Sequence, residues 1–71
     1  MLVVHLSVNN KPALIQENNI LFVEECEGED KEKNRIEFTR LYFKQPVTTP
    51  EDPIVQIDIV EKVEKLLKMM K

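Results

Sequence analysis

The sequence predicts a small α+β domain: a twisted, mostly antiparallel sheet of four to five short strands, with a C-terminal amphipathic helix packed on one face. Three observations predict it. Apolar and polar residues alternate at the start of the chain, which is the period of a half-buried strand. Short apolar runs then recur between clusters of Asn, Pro and charged residues, the rhythm of successive antiparallel strands. The final residues change to a helical period.

The first strand is expected at residues 2–8. Leu2, Val4, Leu6 and Val8 share one face, and Val3, His5 and Ser7 share the other. Asn9, Asn10, Lys11 and Pro12 supply a turn, because Asn tolerates the left-handed backbone that a tight turn needs. A second strand follows at residues 12–16, with its opening proline suited to an edge. Glu17, Asn18 and Asn19 mark the next turn. Residues 20–26 form a third strand that begins with four apolar residues, Ile20 to Val23, and so is buried on both faces at its start. Residues 27–34 are nearly all charged and include the single glycine, Gly28, which suits an exposed hairpin loop.

A fourth strand is expected at residues 35–43. Ile36 and Phe38 lie on one face, yet Leu41 and Phe43 lie on the other. A β-bulge near Thr39 and Arg40, or cover on both faces, would accommodate this change of phase. Residues 44–53 carry Pro46, Pro50 and Pro53 and are expected to be a stiff loop. A short fifth strand occupies residues 54–57. The helix is expected over residues 59–70, with Asp58 and Glu61 in capping-box spacing. Ile59, Val63, Leu66, Leu67 and Met70 then fall on one face, leaving Met69 off it. Glu61 with Lys65 and Glu64 with Lys68 are favourable pairs one helical turn apart. The expected core is Leu2, Val4, Leu6, Leu14, Phe22, Ile36, Phe38, Ile57, Ile59, Val63, Leu66, Leu67 and Met70.

Length limits what such a chain can do alone. With 71 residues, a single core supplies roughly 3–5 kcal/mol of net stability. Small domains supplement this with disulfides, a metal or a partner. Cys26 is the only cysteine and His5 the only histidine, so an internal disulfide is excluded and a zinc site has no ligand spacing to build on. Association remains. The strands with apolar residues on both faces need two covers, and one helix supplies only one. A homodimer paired through the short edge strand at residues 13–16 would supply the second. Val47, folded back from the proline-rich loop, is the alternative cover.

The lone cysteine suits a reducing compartment. The longest uninterrupted apolar run is far short of a membrane span, and the start of the chain lacks the pattern of a secretory signal. The expected location is cytoplasmic, without membrane association.

Few residues offer chemistry. His5 has Ser7 beside it, but no acid completes a triad, and it reads as a strand-surface histidine. A reactive cysteine needs a cation or a helix N-terminus beside it. Cys26 has Glu25 and Glu27, and reads as inert. The acidic run of Glu24, Glu25, Glu27, Glu29, Asp30 and Glu32 lacks the ordered spacing of a calcium loop and is interrupted by Lys31 and Lys33. It reads as a solvated loop. One glycine cannot build a phosphate cradle. No catalytic, cofactor-binding or metal-binding residue is assigned, and no small-molecule substrate is evident.

Two binding readings remain. Phe22, Phe38, Tyr42 and Phe43 are flanked by Arg35, Arg40 and Lys44, which would suit stacking against single-stranded nucleic acid. A net charge of −3 weighs against that, and so does the need of a small core for its aromatics. Leu67, Met69 and Met70 could form a soft surface for a protein partner. The preferred expectation is a non-catalytic protein-interaction or accessory and regulatory module that self-associates. The alternative is a nucleic-acid-associated regulator using Arg35, Arg40 and Lys44.

The order of parts resembles small bacterial proteins of the FlbD flagellar and swarming-motility type. Val8-Asn9-Asn10-Lys11 resembles their first turn, and Ile20-Leu21-Phe22-Val23-Glu24 their third strand. Arg35-Ile36-Glu37-Phe38 resembles the returning strand, and Val55-Gln56-Ile57-Asp58 the lead-in to the helix. The resemblance spans most of the chain and rests on hydrophobic spacing. The turn lacks that family's glycine, its early Thr-Arg-Leu is missing, and residues 44–53 are an insertion. The strand order is also similar to the LytTR class of DNA-binding domain, whose basic reading surface has no counterpart here. The resemblance implies a bacterial or phage-like regulator and transfers no functional residue.

Overall fold

The computed structural model describes residues 1–48 and 50–70. It contains two antiparallel sheets and one C-terminal helix. The first sheet is a hairpin of β1 (Leu2–His5) and β2 (Pro12–Ile15). The second runs in the order β3 (Ile20–Glu29), β4 (Arg35–Val47), β5 (Ile54–Ile59). The helix α1 covers Val63–Met69. The architecture is α+β, but the expected single sheet of four to five strands is corrected to two sheets. They share one buried core and are joined at the backbone by an antiparallel bridge, Leu6 to Ile59.

That bridge explains why β1 ends at His5 and not at residue 8. Beyond His5 the chain still bonds across the hairpin, from Leu6 N–H to Lys11 O, but its other margin now pairs briefly with β5. Ser7 N–H donates to Asp58 O at 3.0 Å, and Val60 N–H donates to His5 O at 2.8 Å. The hairpin closes as the asparagines require. Asn10 has a positive φ of 57°, and the Asn9 side chain accepts from Lys11 N–H at 3.0 Å.

The other departures have physical causes. Gly28 lies inside β3, not in a loop. The Phe38 ring leans over it, so that an added Cβ would sit 3.3 Å from the ring. The turn shrinks to residues 30–34 because Asp30 organises it. Its carboxylate accepts from Glu32 N–H at 2.9 Å and from Asn34 N–H at 2.8 Å. Pairing between β3 and β4 is regular past Thr39 and Arg40, where a bulge was one expectation. The irregularity falls between Ile20 and Phe22. It changes the phase of β3, so that Ile20 and Val23, three apart, both pack on the core. Part of the expected loop at 44–53 continues β4 to Val47 and pairs with Ile54. Residue 49 of that loop lies outside the described residues.

Helix α1 begins four residues later than the apolar period suggests. Asp58 and Ile59 belong to β5, and the would-be capping residues are spent on tertiary bonds. Asp58 holds Arg40 and Glu61 holds His5, so Lys62 occupies the helix start without a side-chain cap. The shift turns the helix. Leu66 is buried, Val63 and Met69 are half-buried, and Leu67 and Met70 face solvent. Met69 and Met70 thus exchange their expected places.

The buried core is Leu2, Val4, Ile15, Leu41, Ile59 and Leu66. Leu14 and Phe22, expected inside, are exposed. Ile15 takes the place expected for Leu14, since it is opposite Leu2 in the hairpin register.

Candidate functional site

Side chains on β4 divide by parity. Thr39, Leu41 and Phe43 face inward: Thr39 and Leu41 are buried, and Phe43 packs against the core. Ile36, Phe38, Arg40 and Tyr42 face outward, and cross-strand partners share the same faces.

On the outward face, Phe22 stacks on Tyr42 with ring centroids 4.3 Å apart. The Tyr42 hydroxyl donates to Glu24 at 2.7 Å, and that hydrogen bond is the main reason the phenol's pKa rises. Arg40 Nε donates to Asp58 at 2.8 Å while its guanidinium lies 5.5 Å from the Phe38 ring centre. The Asp58 hydrogen bond raises the Arg40 pKa further above its ordinary value. The three cations proposed for nucleic-acid contact do not form one surface. Arg35 is opposite Glu29 in the register and is bonded to Glu27. By parity it lies on the face opposite Arg40. Lys44 is exposed and falls on the parity of Arg40 and Tyr42.

His5 is not a bare surface residue. Its Nδ1 lies 2.6 Å from Glu61 Oε2, and its backbone N–H donates to Glu61 Oε1 at 2.8 Å. Glu61 is only 5% exposed. Burial pushes its carboxyl pKa up, but the hydrogen bonds from the His5 ring and backbone, with its own backbone N–H, outweigh that and hold it below the usual range. This pair ties β1 to the approach to α1. Ser7 N–H donates to Asp58 O at 3.0 Å. Cys26 is half-buried opposite Phe38, its sulfur 4.0 Å from the Glu24 carbonyl. Among the described residues, no cluster of three metal-ligating side chains exists.

A mainly apolar groove of about 280 Å³ lies between β2 and the far end of β4 and β5. The hairpin contributes Leu6, Ala13, Leu14 and Ile15, and the second sheet contributes Phe43, Val47, Ile54 and Ile57. Gln16 and Asn19 supply its polar rim. Asn19 is fixed there by a reciprocal pair with Gln45: its side chain donates to Gln45 O at 3.1 Å and accepts from Gln45 N–H at 2.9 Å. Leu14 is 67% exposed beside the groove, and Val47 and Ile54 are exposed as well. Val47, the alternative cover, does not fold back from a loop but ends β4, and it lines the groove without closing it.

β2 borders this groove as an edge strand, since among the described residues it pairs with β1 alone. Sequence reasoning pointed to residues 13–16 as an edge but did not locate the groove, which depends on how the two sheets are set against each other. No protein-family model matches the chain, and neither does any curated protein or solved structure. No described helix is long and apolar enough to cross a membrane.

Proposed function

We propose that this chain is a non-catalytic protein-interaction module of accessory or regulatory role that self-associates through the apolar groove and the adjoining edge of β2. The observation that carries this reading is the groove itself. It concentrates exposed Leu14, Val47 and Ile54 at the margin of a core that has six buried apolar side chains among the described residues. A domain this small gains stability by covering such a surface. The ionisable side chains support a binding role over a catalytic one. Glu61, Arg40, Glu37 and Lys62 are each engaged in an ion pair, and none of them lines the groove.

The test is sedimentation of the whole chain across the micromolar range. Concentration-dependent association is expected, weakened by Val47→Asp and by Ile54→Asp with the cooperative thermal transition retained. A single species near 8.4 kDa at every concentration would remove self-association.

The exposed Phe22–Tyr42 stack, with Lys44 on the same face, favours a second reading as a nucleic-acid-associated regulator. Its electrostatic support is thin, because Arg35 and Arg40 are already bound to Glu27 and Asp58. Fluorescence anisotropy with a mixed-sequence single-stranded oligonucleotide separates the readings. Binding that falls steeply with salt and is lost in Lys44→Ala and Phe22→Ala would support this one.

A further inference from the structure

We infer that two copies of the chain pair antiparallel through β2, in the register that sets Leu14 opposite Leu14 of the second copy. The inference rests on the interaction-module reading and specifies its contact. The hairpin fixes which backbone groups face outward. Leu6 N–H donates to Lys11 O at 2.9 Å, so at this end of the hairpin the main-chain groups of Leu6 and Lys11 face each other. Counting along the register, Val4 with Ala13 and Leu2 with Ile15 are hydrogen-bonded pairs. Pro12, Leu14 and, beyond the strand, Gln16 therefore turn their main-chain groups to the open edge.

A two-fold axis in an antiparallel ladder falls either on a hydrogen-bonded pair, at Pro12, Leu14 or Gln16, or on a non-hydrogen-bonded pair, at Ala13 or Ile15. A centre at Ala13 or Ile15 sets Leu14 opposite Pro12 or Gln16, whose missing N–H or occupied carbonyl leaves each Leu14 one main-chain bond instead of two. Pro12 has no N–H to give, and Gln16 O already accepts from Asn19 N–H at 3.1 Å, where the chain turns into a short 3-10 helix at Glu17–Asn19. Leu14 is left. In its register, each Leu14 donates to and accepts from the other, and each Gln16 N–H reaches the Pro12 carbonyl opposite. The proline, which ordinarily blunts an edge, costs only a terminal donor and discourages sliding.

Side chains agree with the same register. Lys11 falls opposite Glu17 of the second copy at both ends of the paired segment, and both residues are exposed. Glu17 also lies 3.7 Å from the N-terminal ammonium, which leaves its second oxygen available to Lys11. On the inner face, Ala13 meets Ile15 of the second copy, bringing the two apolar grooves side by side. On the outer face, Val3 and Leu14, opposite each other in the hairpin, continue into their counterparts as one apolar stripe.

A symmetric disulfide reads the register directly. Leu14→Cys, made in a Cys26→Ser chain, places the two new thiols on residues about 5.5 Å apart at Cα, within the range a disulfide spans. Oxidation should yield a covalent dimer, whereas Val55→Cys, exposed on β5, should not. Lys11→Glu should weaken association roughly threefold or more, and adding Glu17→Lys should restore it. Association without a Leu14→Cys crosslink, or without charge-swap rescue, would overturn this register while leaving the interaction reading intact. A chain that never associates would overturn both.

Discussion

The β1–β2 hairpin has two margins, and the molecule treats them in opposite ways. On the β1 margin, the backbone is satisfied by β5 at Ser7 and Val60, and by the Glu61 carboxylate at His5. Behind that margin stand three of the fully buried residues, Val4, Ile59 and Leu66. On the β2 margin no strand follows among the described residues, Leu14 is exposed, and the apolar groove stays open. One margin is sealed by paired polar groups over a packed interior, and the other offers unpaired edge and apolar surface. The contrast teaches where association can form without unfolding anything.

The largest expected effect lies behind the sealed margin. Leu66→Ala should cost about 2–5 kcal/mol in urea denaturation, as truncations of fully buried leucine do. A loss below about 1 kcal/mol, the range of surface sites, would mean that α1 is not part of the core. Next comes Glu61→Ala, which leaves the His5 N–H without its acceptor in a half-buried position. The cost should be about 1–3 kcal/mol. The His5 side chain is 42% exposed, which dilutes the ionic share of that figure.

Acid should open the same margin. The folded pKa of Glu61 lies below its ordinary value, so its contribution is complete above the ordinary glutamate range. It is lost as pH falls through that range and then through the lower folded value. Denaturation midpoints measured from neutral pH into the acid should decline over that window. Glu61→Gln should show a smaller decline, with a remainder from Glu37, which Lys62 also holds low. An identical acid profile in wild type and Glu61→Gln would show that this pair does not seal the seam. Smallest of all is Leu14→Ala in dilute solution, expected within about 0.5 kcal/mol of wild type. A larger loss would mean that the β2 margin is packed within a single copy.

How much of this was legible in the sequence follows the same division. The strands, the Asn turn and the C-terminal helix follow from local alternation and turn chemistry, which residues 2–5, Asn10 and 63–69 express directly. What local pattern hides is where polar side chains find partners across the chain. Asp58 and Glu61 have the spacing of a capping box, yet Arg40 and His5 take them, which delays α1 and turns Leu67 outward. Gly28 has the composition of a turn, yet it serves the Phe38 ring. Leu14 and Ile15 are equally apolar, and only the hairpin register decides which is buried. The groove was beyond reach for the same reason: it belongs to the set of one sheet against another.

Amide hydrogen exchange at several protein concentrations tests the contrast most directly, since it reads both margins in one sample. The His5, Ser7 and Val60 amides should be protected at every concentration. The Leu14 amide should exchange freely in dilute solution and become protected as concentration rises. Protection of Leu14 independent of concentration would mean that its edge is already covered within one copy. Free exchange of Leu14 at every concentration would mean that β2 is not where copies meet. Either result would contradict the account.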